Sequence, residues 1–517
     1  MTPWLQRSLK ASMKINPPAC YVQPIAAAAL IAMTLLTGCA VGPDYVRPPL
    51  SLPDQYTRLP IEGEPRTGKK PEIPVQIPAQ QLSATLDIPA QWWETFHSKP
   101  LNAWVDASLR HNPSVDAAQA ALRAARENAL VMSAEFWPTV ALNYSPTRQL
   151  VPDALASPAS SNDRIYNLHT AQVTVAYAPD VFGGIRRAVE TARAQTEQQR
   201  FQLEATYLTL SSNVVMAAIS EASLRAQRTA TLAIVMHQRE VLQSYVRQQS
   251  LGQAAMADID VQRAALATTE AMVPPLDKQL AVQRNLLATL AGRYPSDDVD
   301  IHFELDDLQL PGELPLALPS TLVAHRPDVR AAEEQLHAAS AGIGVAVAAR
   351  LPNVQLGTSA YGTSASSFAQ LFSASSMFWT LAASVTQPII DGGALKHREG
   401  VARANFDQIA AQYRGTVLGA FQDVANALQA IDADTRGLRT AVDAEHATLR
   451  SLERVRKQFQ LGDSSALSVR VAEQAWQQAV LSLVQARAAR LTDTAALFQA
   501  LGGGWWNRPQ TLAAVLP

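Results

Sequence analysis

Between Ile185 and Leu251 the chain runs for about 67 residues without a Gly or a Pro. An unbroken helix there is on the order of 100 Å long, at 1.5 Å rise per residue. Gly183-Gly184 stands at its start and Gly252 just past its end, where helix stops are usually written. Inside it Leu203, Tyr207, Leu210, Val214 and Ala217 step by four, three, four and three, a coiled-coil seam. Ordinary globular helices average about 11–12 residues. The fold must be one that uses such a rod.

A duplication says how. His111-Asn112-Pro113 matches His325-Arg326-Pro327, and Phe136-Trp137-Pro138 faces Arg350-Leu351-Pro352, both at an offset of 214 (327 − 113, 352 − 138). Phe182-Gly183-Gly184 faces Asp391-Gly392-Gly393 at 209, Leu251-Gly252 faces Leu461-Gly462 at 210, and Leu290-Ala291-Gly292 faces Leu501-Gly502-Gly503 at 211. Five landmarks in one order at near-constant spacing make two copies of one unit. Each copy reads helix, strand, loop, strand, long helix, Leu-Gly turn, helix. The expected division is a first repeat over 99–310 and a second over 311–503, with a tail over 504–517. Gly183, Gly184, Gly252, Gly392, Gly393 and Gly462 are expected as structural turns. Ala254 to Ala291 and Asp328 to Arg350 form the shorter rods, the former kinked at Pro274-Pro275, where hydrogen bonds are lost.

The strands are expected over 138–146, 169–178, 353–361 and 377–387. Val140, Leu142 and Tyr144 alternate with Ala141 and Asn143; Val173, Val175 and Tyr177 alternate with Gln172, Thr174 and Ala176. Trp379, Leu381, Ala383 and Val385 repeat the pattern. Segments of about ten residues, apolar on one face and small or polar on the other, fit transmembrane β-strands with lipid outside and water inside. They fit half-buried strands of a soluble domain too, but such a sheet needs a second layer over its apolar face. The remaining segments are helices of the wrong length to supply it. Four strands cannot close a barrel, and an open edge is intolerable in lipid, so several chains must share one. Two chains give about eight strands, three about twelve with room for a lumen.

At the N-terminus Arg7, Lys10 and Lys14 precede an apolar run, Ile25 to Leu36, too short to span a bilayer as a helix. It ends Leu36-Thr37-Gly38-Cys39, a bacterial lipobox pattern, which predicts a signal peptide over 1–38 and lipidation of Cys39. Met13 is an alternative start. The Pro-rich text that comes next reads as a lipidated tether over 39–98. Cys20 falls in the removed segment, so neither a disulfide framework nor a Cys-based metal site is expected. A net charge of −2 and a pI near 6.5 leave no basic footprint for nucleic acid.

Together, Leu36-Thr37-Gly38-Cys39, Val41-Gly42-Pro43-Asp44-Tyr45, Trp92-Trp93, Arg326-Pro327-Asp328, Pro388 with Asp391-Gly392-Gly393, and Leu501-Gly502-Gly503-Gly504-Trp505 resemble the TolC-like outer-membrane factor family. The likeness is to its lipoprotein branch (OprM/NodT-like) and covers essentially the whole mature chain. It implies a mainly α fold with a transmembrane β part: a homotrimer whose twelve-stranded barrel, four strands per chain, sits in the outer membrane of a Gram-negative bacterium and continues into a long α-helical periplasmic barrel. It further implies a passive exit duct for small toxic compounds or drugs, docked to a periplasmic adaptor (membrane fusion) protein and an inner-membrane efflux pump. A type I protein-secretion duct is the alternative within the same fold, and a periplasmic coiled-coil scaffold the alternative outside it.

No P-loop, Gly-x-Ser-x-Gly or His-Glu-x-x-His text is present, and no enzyme, cofactor or metal site is expected. His111 and His325 are repeat-equivalent and read as helix-entry residues. Charge near the two Leu-Gly turns singles out Asp258, Asp260, Arg263 and Arg470 as a candidate periplasmic gate, since three-fold copies at a narrow tip act together although each exposed pair is worth only about 0–1 kcal/mol. Read singly, each is equally a solvated helix-face charge. The second tip, Leu467-Ser468-Val469-Arg470, departs from relatives that commonly place an acidic residue after the Leu.

Overall fold

The computed structural model describes residues 40–49, 53, 55–57, 80–83, 86–152, 154, 163–297, 301–316 and 319–508. The expected signal peptide, Cys39 and residues 509–517 lie outside them. The elements in order are β1 (Gln81–Ser83), a 3-10 turn (Trp92–Phe96), α1 (Lys99–His111), α2 (Pro113–Ala134), β2 (Thr139–Leu150), β3 (Ile165–Tyr177), α3 (Gly184–Ser250), α4 (Met256–Glu270) and α5 (Val273–Leu290). Then come β4 (Glu313–Pro315), α6 (Pro319–His325), α7 (Pro327–Ala348), β5 (Asn353–Ala365), β6 (Met377–Thr380), β7 (Ala383–Thr386), α8 (Ala394–Gln460) and α9 (Ala466–Ala500). Both long rods, α3 and α8, are 67 residues.

The chain divides into two compact units. Of the described residues, one holds those through Asp44 with those of 132–189 and 341–402; the other holds those of 45–131, 190–340 and 403–508. The first unit carries the membrane-type sheet, in the order β2-β3-β5-β6, with β7 also on β5 and every pairing antiparallel. Register pairs Val140 with Val175, Leu142 with Val173, Val173 with Tyr361 and Tyr361 with Trp379, so the apolar residues share one face. That face is bare: Val140, Leu142, Tyr144, Tyr361, Trp379 and Val385 are all exposed. The fourth strand, expected as one piece over 377–387, is interrupted at Leu381-Ala382. Opposite the break, the pairing of β3 with β5 slips between Val175 and Tyr177, a bulge that shifts the local ladder. Phe378, one residue from Trp379, pairs with Gly362 and so falls on the other face.

The second unit holds the hydrophobic core. Trp92, Phe96, Leu101 and Trp104 pack with Val214, Ile219, Leu287, Val424, Leu491 and Phe498. Trp92 stacks on Phe498 with ring centroids 5.4 Å apart. Burying aromatics of this size contributes most of the local apolar stabilisation. A short parallel pair, β1 with β4, which the sequence pattern does not announce, joins two Pro-flanked segments at the register Leu82–Leu314. The shorter rod expected over 254–291 is two helices. Pro274 and Pro275 lie at the start of α5, so the ladder fails one turn earlier, at Ala271-Met272.

Candidate functional site

Two loci carry the chemistry: the sheet of the first unit and the hairpin tips of the second. Each long helix adjoining the sheet begins with a carboxylate over its free N–H groups. Asp180 accepts from Ile185 N (3.0 Å) and Arg186 N (2.9 Å), and Asp391 accepts from Gly393 N (2.9 Å) and Leu395 N (2.8 Å). Hydrogen bonds from Leu395 and Gly393 hold the Asp391 carboxyl below the usual carboxylate range. Gly183, Gly392 and Gly393 turn the chain there at φ of 79°, 64° and 85°, while Gly184 is the first residue of α3.

The described chain next to Cys39 is seated. Val41 N donates to Phe182 O at 3.1 Å, and the buried Arg187 reaches Val41 O at 3.2 Å and the Asp44 carboxylate at 2.6 Å. A Cβ on Gly42 would stand 2.4 Å from Gly344 Cα, so only glycine fits this crossing. In the second unit Tyr45 stacks on His337 (centroids 4.5 Å apart) and Arg47 pairs with the buried Glu333 at 2.9 Å. The Val41-Gly42-Pro43-Asp44-Tyr45 text, read as part of an extended tether, is docked as a strap over these residues. Its signal was the pairing of a glycine with charged and aromatic residues inside a Pro-rich stretch.

At the tips both turns have one geometry. Gly252 (φ 72°) and Gly462 (φ 84°) close their helices, with Gln253 N donating to Gln248 O at 2.8 Å and Asp463 N to Gln458 O at 2.9 Å. This is the six-to-one bond of a Schellman stop. Beyond the turns the four predicted gate residues separate into two groups. Asp260 pairs with Arg263 at 3.3 Å on the exposed face of α4. Asp258 and Arg470 converge on Tyr245: burial raises its hydroxyl pKa, Arg470 lowers it, and Asp258 and Glu473 raise it. Nε and Nη1 of Arg470 are buried with no hydrogen-bond partner among the described residues.

Position relative to each glycine shows an inversion. Asp260 and Arg470 both stand eight residues past their tip glycines (252 to 260, 462 to 470), and Arg263 and Glu473 both stand eleven past (252 to 263, 462 to 473). The first pair closes on itself; the second does not. Glu473, buried on α9, receives Arg456 of α8 at 2.8 Å and lies 3.0 Å from His237 Nε2 of α3. His237, Tyr245, Arg456 and Glu473 were missed because their partners are distant in sequence. Among the described residues no group of three or more His, Cys, Asp or Glu is placed to hold a metal, and no helix is long and apolar enough to cross a membrane.

The model of the family described as "Outer membrane efflux protein" matches this chain twice, over residues 104–293 and 318–503. The chain belongs to the outer membrane efflux protein family. It is similar to a pyoverdine export outer membrane protein of Pseudomonas putida, OpmQ, at 28% identity over 85% of this chain and 93% of that one. A toluene efflux pump outer membrane protein of the same species, TtgC, is 27% identical over 92% and 94%. Among solved structures, the outer-membrane channel OprN superposes with a TM-score of 0.80 at 26% identity, covering 90% of this chain and 100% of that one. The open state of the Neisseria gonorrhoeae MtrE outer membrane channel superposes at 0.78, with 25% identity, 90% and 99% covered. The family's members are outer-membrane efflux ducts, and this chain is one: a passive channel and not an enzyme.

Proposed function

We propose that three copies of this chain form one duct: a twelve-stranded barrel in the outer membrane of a Gram-negative cell, leading into helices that meet a periplasmic adaptor protein and an inner-membrane efflux pump. The observation that carries this is the sheet. Among its described strands β2 and the β6/β7 line each have a hydrogen-bonded neighbour on one side only, and the apolar face is uncovered. Unpaired edges in hydrocarbon cost several kcal/mol per group, so sister chains must pair them. Three sets of four strands close a barrel wide enough for a bore. The docked Ala40 beside Phe182-Gly183 fits a lipid on Cys39 as a second hold on the membrane.

The tips act as the gate. When first and second hairpins alternate around a three-fold axis, the matched positions of Asp260 and Arg470 bring opposite charges to one level, and the idle Arg470 donors find acceptors on a neighbouring chain. Substrates are small toxic compounds, a class that includes the toluene named for the relative TtgC. The test is the mass of the detergent-solubilised protein. Three chains per particle is the expected result, and a lone subunit would end the proposal.

A further inference from the structure

The pairing registers sort every strand residue onto one of two faces, and the faces differ in more than polarity. Opposite the Val140–Leu142–Tyr144 face, β2 presents Ala141, Asn143, Ser145, Thr147 and Gln149. On β3 that face holds Tyr166, Leu168, Thr170, Gln172 and Thr174, on β5 Asn353, Gln355 and Ser364, and on the fourth strand Thr380, Ser384 and Thr386. Among the described residues of these strands no Asp, Glu, Lys or Arg lies on it. Arg148, the one Asp, Glu, Lys or Arg within the described strands of this sheet, pairs with Asn167 on the apolar face, near the far end of β2.

The polar groups on this face satisfy one another across strands. Asn143 Nδ2 donates to Thr174 Oγ1 at 3.0 Å, and Thr170 and Ser364 hydroxyls lie 3.2 Å apart. One cross-strand row runs Asn143, Gln172, Gly362, Phe378. A Cβ on Gly362 would stand 2.7 Å from Gln172 Cβ, so the glutamine is crowded against a residue that leaves it room. Fixed charge is what gives a pore ion selectivity, through rings of carboxylates for cations or of Lys and Arg for anions. Here the rows hold amides, hydroxyls, small or aliphatic residues and two aromatics, Tyr166 and Phe378.

We propose that the membrane section of the duct is an uncharged, amide- and hydroxyl-lined bore that passes solutes of either sign alike, with the Asn143–Gln172 row as its neutral belt. Selection there is by width and wetting, and any charge preference of the whole duct is set outside the sheet. This rests on the closed-barrel reading of the sheet.

The experiment is the accessibility of single cysteines in the full-length protein in outer membranes. Gln172→Cys and Thr174→Cys are probed with membrane-impermeant cationic (ethyltrimethylammonium) and anionic (ethylsulfonate) methanethiosulfonates, counted above the unsubstituted chain. Both sites should react, at cation-to-anion rate ratios within about twofold of a free thiol, because no ring of charge biases either reagent. Val173→Cys, on the other face, should stay unreactive. Adding Asn143→Asp to Gln172→Cys should raise the cationic rate several-fold and lower the anionic one. A strong sign preference at both unmodified sites overturns the neutral bore, and reaction at Val173→Cys but not Gln172→Cys overturns the assignment of faces. Protein that does not fractionate with the membrane removes the barrel reading, and this inference with it.

Discussion

The two hairpin tips share a turn and differ in the residues beyond it. Gly252 and Gly462 take the same left-handed conformation with the same six-to-one bond, and nothing lies within 4 Å of where either Cβ would be. Past the turn, α9 opens on Ser465, whose hydroxyl accepts from Ser468 N, whereas α4 opens on Ala255 with no side-chain cap. The charge order then reverses, Asp260 and Arg263 against Arg470 and Glu473. Turn geometry is a backbone matter that glycine satisfies in both copies. Side-chain chemistry is free to diverge, and it has diverged into complementary signs.

The largest effect should come from setting like charges against each other. Arg470→Asp is expected to raise single-channel conductance in planar bilayers several-fold, and adding Asp260→Arg should bring it back down. Failure of the double variant to restore the wild-type level would remove this pair from the gate. Asp258→Ala with Asp260→Ala should raise conductance by a smaller factor, and an unchanged current would clear both residues of a gating role.

Next comes the contrast between the eleventh residues. Glu473→Ala strips the partner from Arg456 and His237 and should cost about 2 kcal/mol, below the range for a fully buried pair because both partners are more than a third exposed. Arg263→Ala removes an exposed neighbour and should cost under about 1 kcal/mol. Denaturant titration of the two variants measures the difference, and equal losses would mean that the buried cluster contributes nothing special.

A pH profile separates the hairpins further. Asp434 of α8 is pushed up to about 7, first by burial and then by the Asp493 carboxyl beside it. The position equally far before the other tip glycine is Leu224 (434 to 462, 224 to 252). A carboxyl whose folded pKa lies above its unfolded value gives stability that is whole below about pH 4 and is lost as pH rises through about 7. Melting of the wild type should therefore fall across that window, and Asp434→Asn should flatten the fall. A variant with an unaltered profile would place the pH dependence elsewhere.

The smallest effects test the shared turn itself. Gly252→Ala and Gly462→Ala should each cost about 1–2 kcal/mol, from left-handed backbone alone. Ser465→Ala should cost about 1 kcal/mol, and Ala255→Ser should gain a similar amount. Unequal glycine costs, read by the same titrations, would show that the turns are not equivalent.

What the sequence made legible was periodic or punctuated. The 67-residue rods, the alternating strands and the tip glycines all depend on spacing within one segment, and spacing is visible in a string. The docked strap was hidden because Arg187 meets Asp44 across 143 residues, and Arg47 meets Glu333 across 286, with no period to betray them. The β1–β4 pair was hidden because three-residue strands carry too little alternation to register. At the tips the formal charges were readable, but the division into an exposed Asp260–Arg263 pair and a buried Glu473 cluster was not, since burial of Glu473 is decided by His237 and Arg456 on other helices. The break in the fourth strand lies beside a slip in its neighbour's ladder, which no single strand announces.

The interruption at Ala271-Met272 has a mechanical consequence. The descending arm of the first hairpin is two rods, α4 and α5, with a joint ahead of Pro274-Pro275, while that of the second is the single 35-residue rod α9. A load applied at the two tips is absorbed as bending at the joint in one arm and carried whole along the other. The first hairpin therefore yields, the second behaves as a lever, and a pull shared evenly between them produces unequal travel.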